Sequence, residues 1–202
     1  MEKSSLFIVL DGIDGSGTTT HSQLLTGFLK SKNYKVFLTH EPSNSEIGTL
    51  IRKYLKNKDI PPSVDALMFA ADRILHFYTE IKKKLNEGFI VISDRYVESS
   101  IVYQSCQSDD LSLEWVKNIN KFAEKPDVTI ILDLDPKISL ARKSQEHLDK
   151  FENSIFLEKV RKLYIKRAKE ENYFLVATDD IIELVQEKIQ TVVIKKLKSL
   201  QL

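Results

Sequence analysis

Three of the chain's six glycines fall within one short segment, Gly12-Ile13-Asp14-Gly15-Ser16-Gly17-Thr18-Thr19-Thr20. Glycines at this spacing let a backbone curl until successive N–H groups point inward, an arrangement that holds phosphate oxygens. The segment matches the phosphate-binding pattern G-x-x-x-x-G-K-Ser/Thr except at one position. Thr18 stands where the lysine belongs. Thr19 supplies the hydroxyl expected on Mg²⁺, and the helix that follows adds the positive end of its dipole. An ordinary glycine-rich turn is the plain alternative. It stays open because the lysine that normally reaches the β- and γ-phosphates is missing.

Ser93-Asp94-Arg95-Tyr96 follows an apolar run. A carboxylate at a strand end, across from a phosphate loop, is placed to hold Mg²⁺ or its water. Arg95 could grip phosphoryl oxygens through two N–H groups at once. Taken alone, such an Asp-Arg pair also reads as a surface ion pair. A third group lies in the stretch 63–86. There Val64, Leu67, Met68, Ala71, Ile74, Leu75, Tyr78, Ile81 and Leu85 make one apolar stripe at helical spacing. Phe69, Arg73 and His76 fall on roughly the opposite face. A ring and a guanidinium one turn apart can stack on a nucleobase and hydrogen-bond its edge. The alternative is a second helix contact with a solvated arginine.

These residues need a frame that brings them to one edge. Leu6 to Leu10, Lys35 to Thr39, Phe89 to Ile92, Val128 to Leu134 and Phe174 to Ala177 are short runs, nearly all apolar or β-branched. Strands covered on both faces read this way. Helical stretches separate them at about 17–32, 44–57, 63–86, 97–106, 112–124, 136–146, 153–170 and 180–199. The alternation predicts an α/β fold: a five-stranded parallel sheet flanked by helices on both faces, in three layers. Asp135 before Pro136 reads as a helix cap, and Asp180 with Glu183 as a capping box. In such sheets ligands bind beyond the carboxyl ends of the strands, where the glycine loop and Asp94 both fall.

The 202 residues suit one domain spanning 1–202. Apolar residues at 42% and charged ones at 29% allow a core with a solvated surface. A net charge of +1, with no basic stripe, speaks against nucleic acid as a partner. No run of about 18 apolar residues speaks for a membrane, and the first residues hold no long apolar segment of the signal-peptide kind. With Cys106 as the one cysteine, there is no disulfide framework and no Cys/His metal cluster. A reducing compartment, the cytoplasm, is the expected location. Cys106 itself reads as a small packed side chain, Trp115 as helix packing, and His21 and His147 as surface or polar-face residues.

The chain resembles the thymidylate kinases over nearly its full length. The resemblance rests on Asp11-Gly-Ile-Asp-Gly-Ser-Gly17, Glu41-Pro42, Phe69-Ala-Ala-Asp-Arg73 with His76, and Asp94-Arg-Tyr-Val-Glu-Ser-Ser-Ile-Val-Tyr-Gln104. Leu148-Asp-Lys-Phe-Glu152 is similar to the stretch after that family's lid. The resemblance implies a kinase that moves the γ-phosphate of ATP to dTMP, with Mg²⁺, as a homodimer. Asp11, Arg95, Arg142 and Lys143 would then be catalytic. The loop 12–20, Arg142 and Thr178 would hold ATP, and Thr19 and Asp94 the metal. Asp14 would meet the sugar 3′-hydroxyl, and Tyr103 would fill the place of a ribose 2′-hydroxyl. Phe69 would stack on thymine, with Arg73, Ser100 and Gln104 on its polar edges. Arg95 would hold the acceptor phosphate. His40, Glu41, Pro42, Arg52 and Ser99 would complete the acceptor site, and a lid at about 141–152 would close over ATP.

The chain departs from the family pattern at Thr18, in place of the loop lysine, and at His40, in place of the usual arginine. Two further readings therefore stand beside the first. One is a nucleotide-binding protein with little turnover. The other is a kinase acting on dUMP or another deoxynucleotide.

Overall fold

The computed structural model describes residues 5–55, 57, 59–142 and 153–200. Lys143, most of the expected lid and the Leu148–Glu152 motif lie outside the described residues. The five expected strands are present: β1 (Leu6–Gly12), β2 (Val36–His40), β3 (Ile90–Asp94), β4 (Val128–Asp133) and β5 (Phe174–Ala177). They pair in parallel in the order β2-β3-β1-β4-β5, so β1 is central. Around them run α1 (Thr18–Ser31), α2 (Glu46–Tyr54), α3 (Pro62–His76), α4 (Lys82–Asn86), α5 (Val97–Gln107), α6 (Leu113–Ile119), α7 (Pro136–Arg142), α8 (Ser154–Glu170) and α9 (Ile182–Ser199).

The period-two alternation of a strand sorts the residues of β1 between two cores. Leu6, Ile8 and Leu10 join Leu25 and Leu29 of α1 and Ile189 and Val193 of α9. Phe7 and Val9 turn the other way, toward Phe77, Ile81 and Tyr96. Asp11 continues that second row and so projects beneath α5 and α8. Each fully buried Leu or Ile contributes about 1.5–3 kcal/mol. That is why the central strand is apolar on both faces until it reaches the site.

Helix α3 turns its faces the opposite way from what its apolar stripe suggests. Val64, Leu67, Leu75 and Tyr78 are exposed, Leu67 by 51%, while Asp65, Asp72, Arg73 and His76 are buried. After His76 a π-helical turn, Phe77–Ile81, widens the spiral and shifts its phase before α4. Ile81 is thereby brought into the core although Tyr78 stays outside. The α7 start is as expected, with the Asp135 carboxylate accepting from the Lys137 N–H at 2.8 Å. The capping box at 180–183 does not form. Ile181 is the cap of α9, and the Asp180 carboxylate takes the Ile181 N–H instead.

Candidate active site

The turn from β1 to α1 carries the glycine loop at the carboxyl edge of the sheet. A β-carbon on Gly12 would lie 2.5 Å from the Leu132 carbonyl oxygen, so only glycine lets the loop leave between β1 and β4. Gly17 caps α1 at φ 95°, a left-handed conformation that costs glycine little. No side chain caps α1 and no acidic residue sits in its first turn. The orphan N–H groups there remain turned to whatever anion approaches. Ile13, within the loop, packs into the core beside Val102 and Ile131. Thr18 is buried, and Thr19 and Thr20 are exposed.

Asp94, at the end of β3, faces this loop. The Thr19 hydroxyl donates to its Oδ2 at 2.5 Å, and its Oδ1 is buried without a partner among the described residues. Two hard oxygen donors held together, one of them unsatisfied, suit a cation that keeps most of its own water.

Asp11, expected to be catalytic, has no oxygen to offer a substrate. Oδ1 accepts from the Gly12 N–H at 2.9 Å, the Ser99 hydroxyl at 2.6 Å and the Tyr164 hydroxyl at 2.7 Å. Oδ2 accepts from the N–H groups of Tyr96 at 3.2 Å and Ser99 at 3.0 Å. Burial raises its pKa, against the pull of Arg95 and these donors. It ties the phosphate loop to the start of α5 and to α8.

Arg95 follows directly in the left-handed region at φ 72°, uncommon for a residue with a side chain. Its guanidinium donates to the Gly12 carbonyl at 2.7 Å, the Ser99 hydroxyl at 3.2 Å and the Asp14 carboxylate at 2.5 Å. It lies 5.8 Å above the Tyr103 ring. Burial opposes its charge, yet Asp14 and the surrounding oxygens hold its pKa well above the ordinary value. The cation is permanent and aimed across the mouth of the loop. Tyr103 accepts from the Asp14 N–H at 2.9 Å, and the Ser139 hydroxyl donates to the Asp14 carbonyl.

Beside this pair a pocket opens between α3, α5 and the segment after β2. Asp14, Arg95, Ser99 and Tyr103 form one wall. Glu41, Pro42, Phe69, Arg73, Ser100 and Gln104 form the rest, with Leu55, which no sequence signal marked. Arg73 is only 1% exposed. It pairs with Glu41 at 2.7 Å and donates to Ser100 at 3.0 Å, which removes the reading of a solvated arginine. His76 lies behind the pocket, linking Thr39, Glu41 and Glu80. Burial works against its proton, but the two glutamates outweigh that and raise its pKa.

His40 and Arg52 are not among the pocket's lining. The exposed His40 ring and the Arg52 guanidinium both engage the Pro42 carbonyl, and Arg52 also holds that of Ser43 at 2.8 Å. With Asp72, which accepts from Ser43 and Ser45, they pin the segment after β2. Arg142 lies over the phosphate loop, donating to the carbonyls of Gly15 at 3.2 Å and Thr178 at 3.0 Å. His21, read as a surface residue, is buried against Gln186 of α9 at 2.8 Å. Cys106 is buried too, which pushes its thiol pKa up and leaves it inert.

A phosphate loop between the central strand and the first helix, an Asp-Arg pair at the next strand end and a pocket beside them define a P-loop nucleotide kinase. The family model described as thymidylate kinase matches residues 10–189. The chain is 45% identical over 194 residues to a "Probable thymidylate kinase" of Pyrobaculum aerophilum, covering 91% of this chain and 98% of that protein. It is 37% identical to one of Caldivirga maquilingensis, covering 96% and 95%. It is 42% identical to one of Methanococcus aeolicus, covering 95% of each. The chain belongs to the thymidylate kinase family of ATP-dependent kinases.

Proposed function

We propose that this protein, working as one kinase domain in the cytoplasm, transfers the γ-phosphate of ATP to dTMP. The observation that carries the reading is the single pocket that joins Phe69, Arg73, Ser100 and Gln104 to Asp14, Arg95 and Tyr103. The first four suit a planar base with polar edges. The last three suit a sugar phosphate directed at the glycine loop. Gln104 Oε1 is buried and has no hydrogen-bond partner among the described residues. Tyr103, in the same lining, would stand where a ribose 2′-hydroxyl would need to go.

Phosphoryl transfer needs positioning and charge more than covalent chemistry. Backbone N–H groups at Gly15 and at Gly17 to Thr19 would hold the ATP phosphates, a task that does not depend on the side chain at position 18; that of Ser16 closes the turn onto the Ile13 carbonyl at 3.1 Å. Arg142, across the loop, supplies positive charge in place of the absent lysine. Arg95 orients the acceptor phosphate for in-line attack. Thr19 and Asp94 would hold Mg²⁺, which supplies charge neutralisation on the phosphates. A coupled assay across dTMP, dUMP, dCMP and TMP with its ribose intact, with and without Mg²⁺, tests the whole reading. Turnover is expected to be highest on dTMP and lost without Mg²⁺. ATP binding by calorimetry with no turnover on any acceptor would favour the non-catalytic reading.

The exposed apolar stripe on α3 and the turn after it supports a homodimer. Val64, Leu67 and Leu75, with Tyr78 beyond them, lie on the side away from Arg73. A helix face laid against its own copy about a two-fold axis buries both stripes at once. The wild type is expected to sediment at twice its 23.3 kDa mass, and Leu67→Glu to release monomers. A monomeric wild type would refute this.

A further inference from the structure

Resting on the reading of this pocket as the acceptor site, we infer that His76 is a positioning residue for it: a ring that carries both protons holds Glu41 in place beside Arg73, and loss of the Nδ1 proton releases that hold. His76 is 3% exposed and is not among the pocket's lining. Its Nδ1 lies 3.3 Å from Glu41 Oε1. Its Nε2 lies 3.0 Å from Glu80 Oε2 and 2.7 Å from the Thr39 hydroxyl oxygen. That hydroxyl donates its own hydrogen to the same Glu80 oxygen at 3.0 Å, so toward the ring it is an acceptor. Each ring nitrogen therefore faces acceptors, and only the imidazolium, with an N–H on both, satisfies them. The Glu41 oxygens are divided in turn, Oε1 to His76 and Oε2 to Arg73 at 2.7 Å.

The charged and titratable groups around the ring come from three parts of the fold. Glu41 follows β2. Arg73 and Asp72 precede His76 by about one turn on α3, and Glu80 follows it by one turn. Tyr96, at the start of α5, lies with its ring 5.6 Å from the Arg73 guanidinium. Burial raises the Tyr96 pKa and keeps the phenol neutral, and Asp72 is taken up by Ser43 and Ser45. The balance at His76 thus lies between burial, which opposes its charge, and Glu41 and Glu80, which outweigh burial and raise its pKa. As pH climbs through that raised value one proton leaves. Nε2 has the two closer acceptors, so the proton lost is the one on Nδ1. A lone pair then faces Glu41 Oε1, and a carboxylate 3% exposed is left with one of its two cations.

Glu41 and Arg73 both line the acceptor pocket, so a change at His76 reaches the acceptor through them. None of these groups belongs to the glycine loop, which leaves ATP binding apart. The sign follows from the charge on the ring. The pocket wall is fixed while His76 is protonated and loosens as pH rises past the ordinary imidazole range.

The test is steady-state kinetics as a function of pH on the wild type, Glu80→Gln and His76→Gln. The range runs from about pH 6.5 to about pH 9.5, where a phosphate monoester with its second pKa near about 6 stays largely ionised. In the wild type the dTMP KM is expected to rise about tenfold across it, the size of one lost charge-assisted bond, with the ATP KM within about twofold. Glu80→Gln removes one of the two carboxylates that favour the proton. Its side chain is 46% exposed and lies outside the pocket, so this variant should fold and should move the rise to lower pH. His76→Gln cannot titrate and should abolish the rise. If His76→Gln does not fold, the shift in Glu80→Gln decides alone. A wild-type dTMP KM that does not change with pH, a rise that Glu80→Gln leaves in place, or equal rises in both KM values would overturn the inference. A wild type that does not phosphorylate dTMP at any pH would instead overturn the functional reading beneath it.

Discussion

Arg95→Ala is expected to lower kcat on dTMP by about 10³-fold or more, with the ATP KM within a few-fold of the wild type. Loss of an arginine that stabilises transferring phosphate costs roughly 10³–10⁵ in rate. Here the substitution also leaves Asp14 without the cation it faces at 2.5 Å. A bare carboxylate would then repel the acceptor phosphate. Arg95→Lys should recover part of the loss, since it returns charge but not the planar fork that bridges Gly12, Ser99 and Asp14. The left-handed backbone at this position gives a useful control. Arg95→Gly removes the side chain while relieving the conformation, so it should be at least as stable as Arg95→Ala and equally inactive. A kcat within tenfold of the wild type for Arg95→Ala would remove Arg95 from the transfer step.

Arg73→Ala is expected to raise the dTMP KM by about ten- to a hundredfold and to leave the ATP KM almost unchanged. The structure adds a second effect. Glu41 is buried and pairs with Arg73, so the variant strands a carboxylate whose remaining neighbour is His76. Breaking one side of a buried pair costs about 3–5 kcal/mol of stability. The kinetics should therefore be run well below the variant's own unfolding temperature. The ratio of the two KM values is the diagnostic quantity, because a fall in the folded fraction does not alter it. Equal rises for both substrates would assign Arg73 to the scaffold alone.

Much of this site is readable along the chain because its parts are local. The glycine loop, Asp94-Arg95 and Ser99 to Gln104 each follow a strand directly, and the strands announce themselves as short apolar runs. Phe69 and Arg73 share one helix at fixed spacing. What the chain does not announce is which side of a helix turns inward. Period alone groups Val64, Leu67 and Leu75 on one face and Asp72, Arg73 and His76 on the other. It cannot say that the polar face turns inward, because that depends on Glu41, Ser43 and Asn120 arriving from elsewhere to satisfy it. Asp11 was hidden for the same reason. Its partners at Tyr96, Ser99 and Tyr164 are remote in the chain, so nothing near Asp11 in sequence announces that they enclose it. Arg52 and His40 carry charges of the right kind near the right loop, but main-chain carbonyls within reach claim them.

The central place of β1 has a consequence for how the chain is made. Its neighbours are β3 and β4, and the Phe7 N–H is satisfied by Asp127, 120 residues further on. At the usual pace of synthesis that interval lasts on the order of ten seconds. For the first part of it, until β3 is made, β1 has emerged and has neither of its sheet partners, and β4 arrives only at its end. Contacts this distant also carry a large loop-closure cost, which slows folding. The nascent amino-terminal segment is therefore the point at which this protein is most exposed to aggregation, well before any nucleotide site exists.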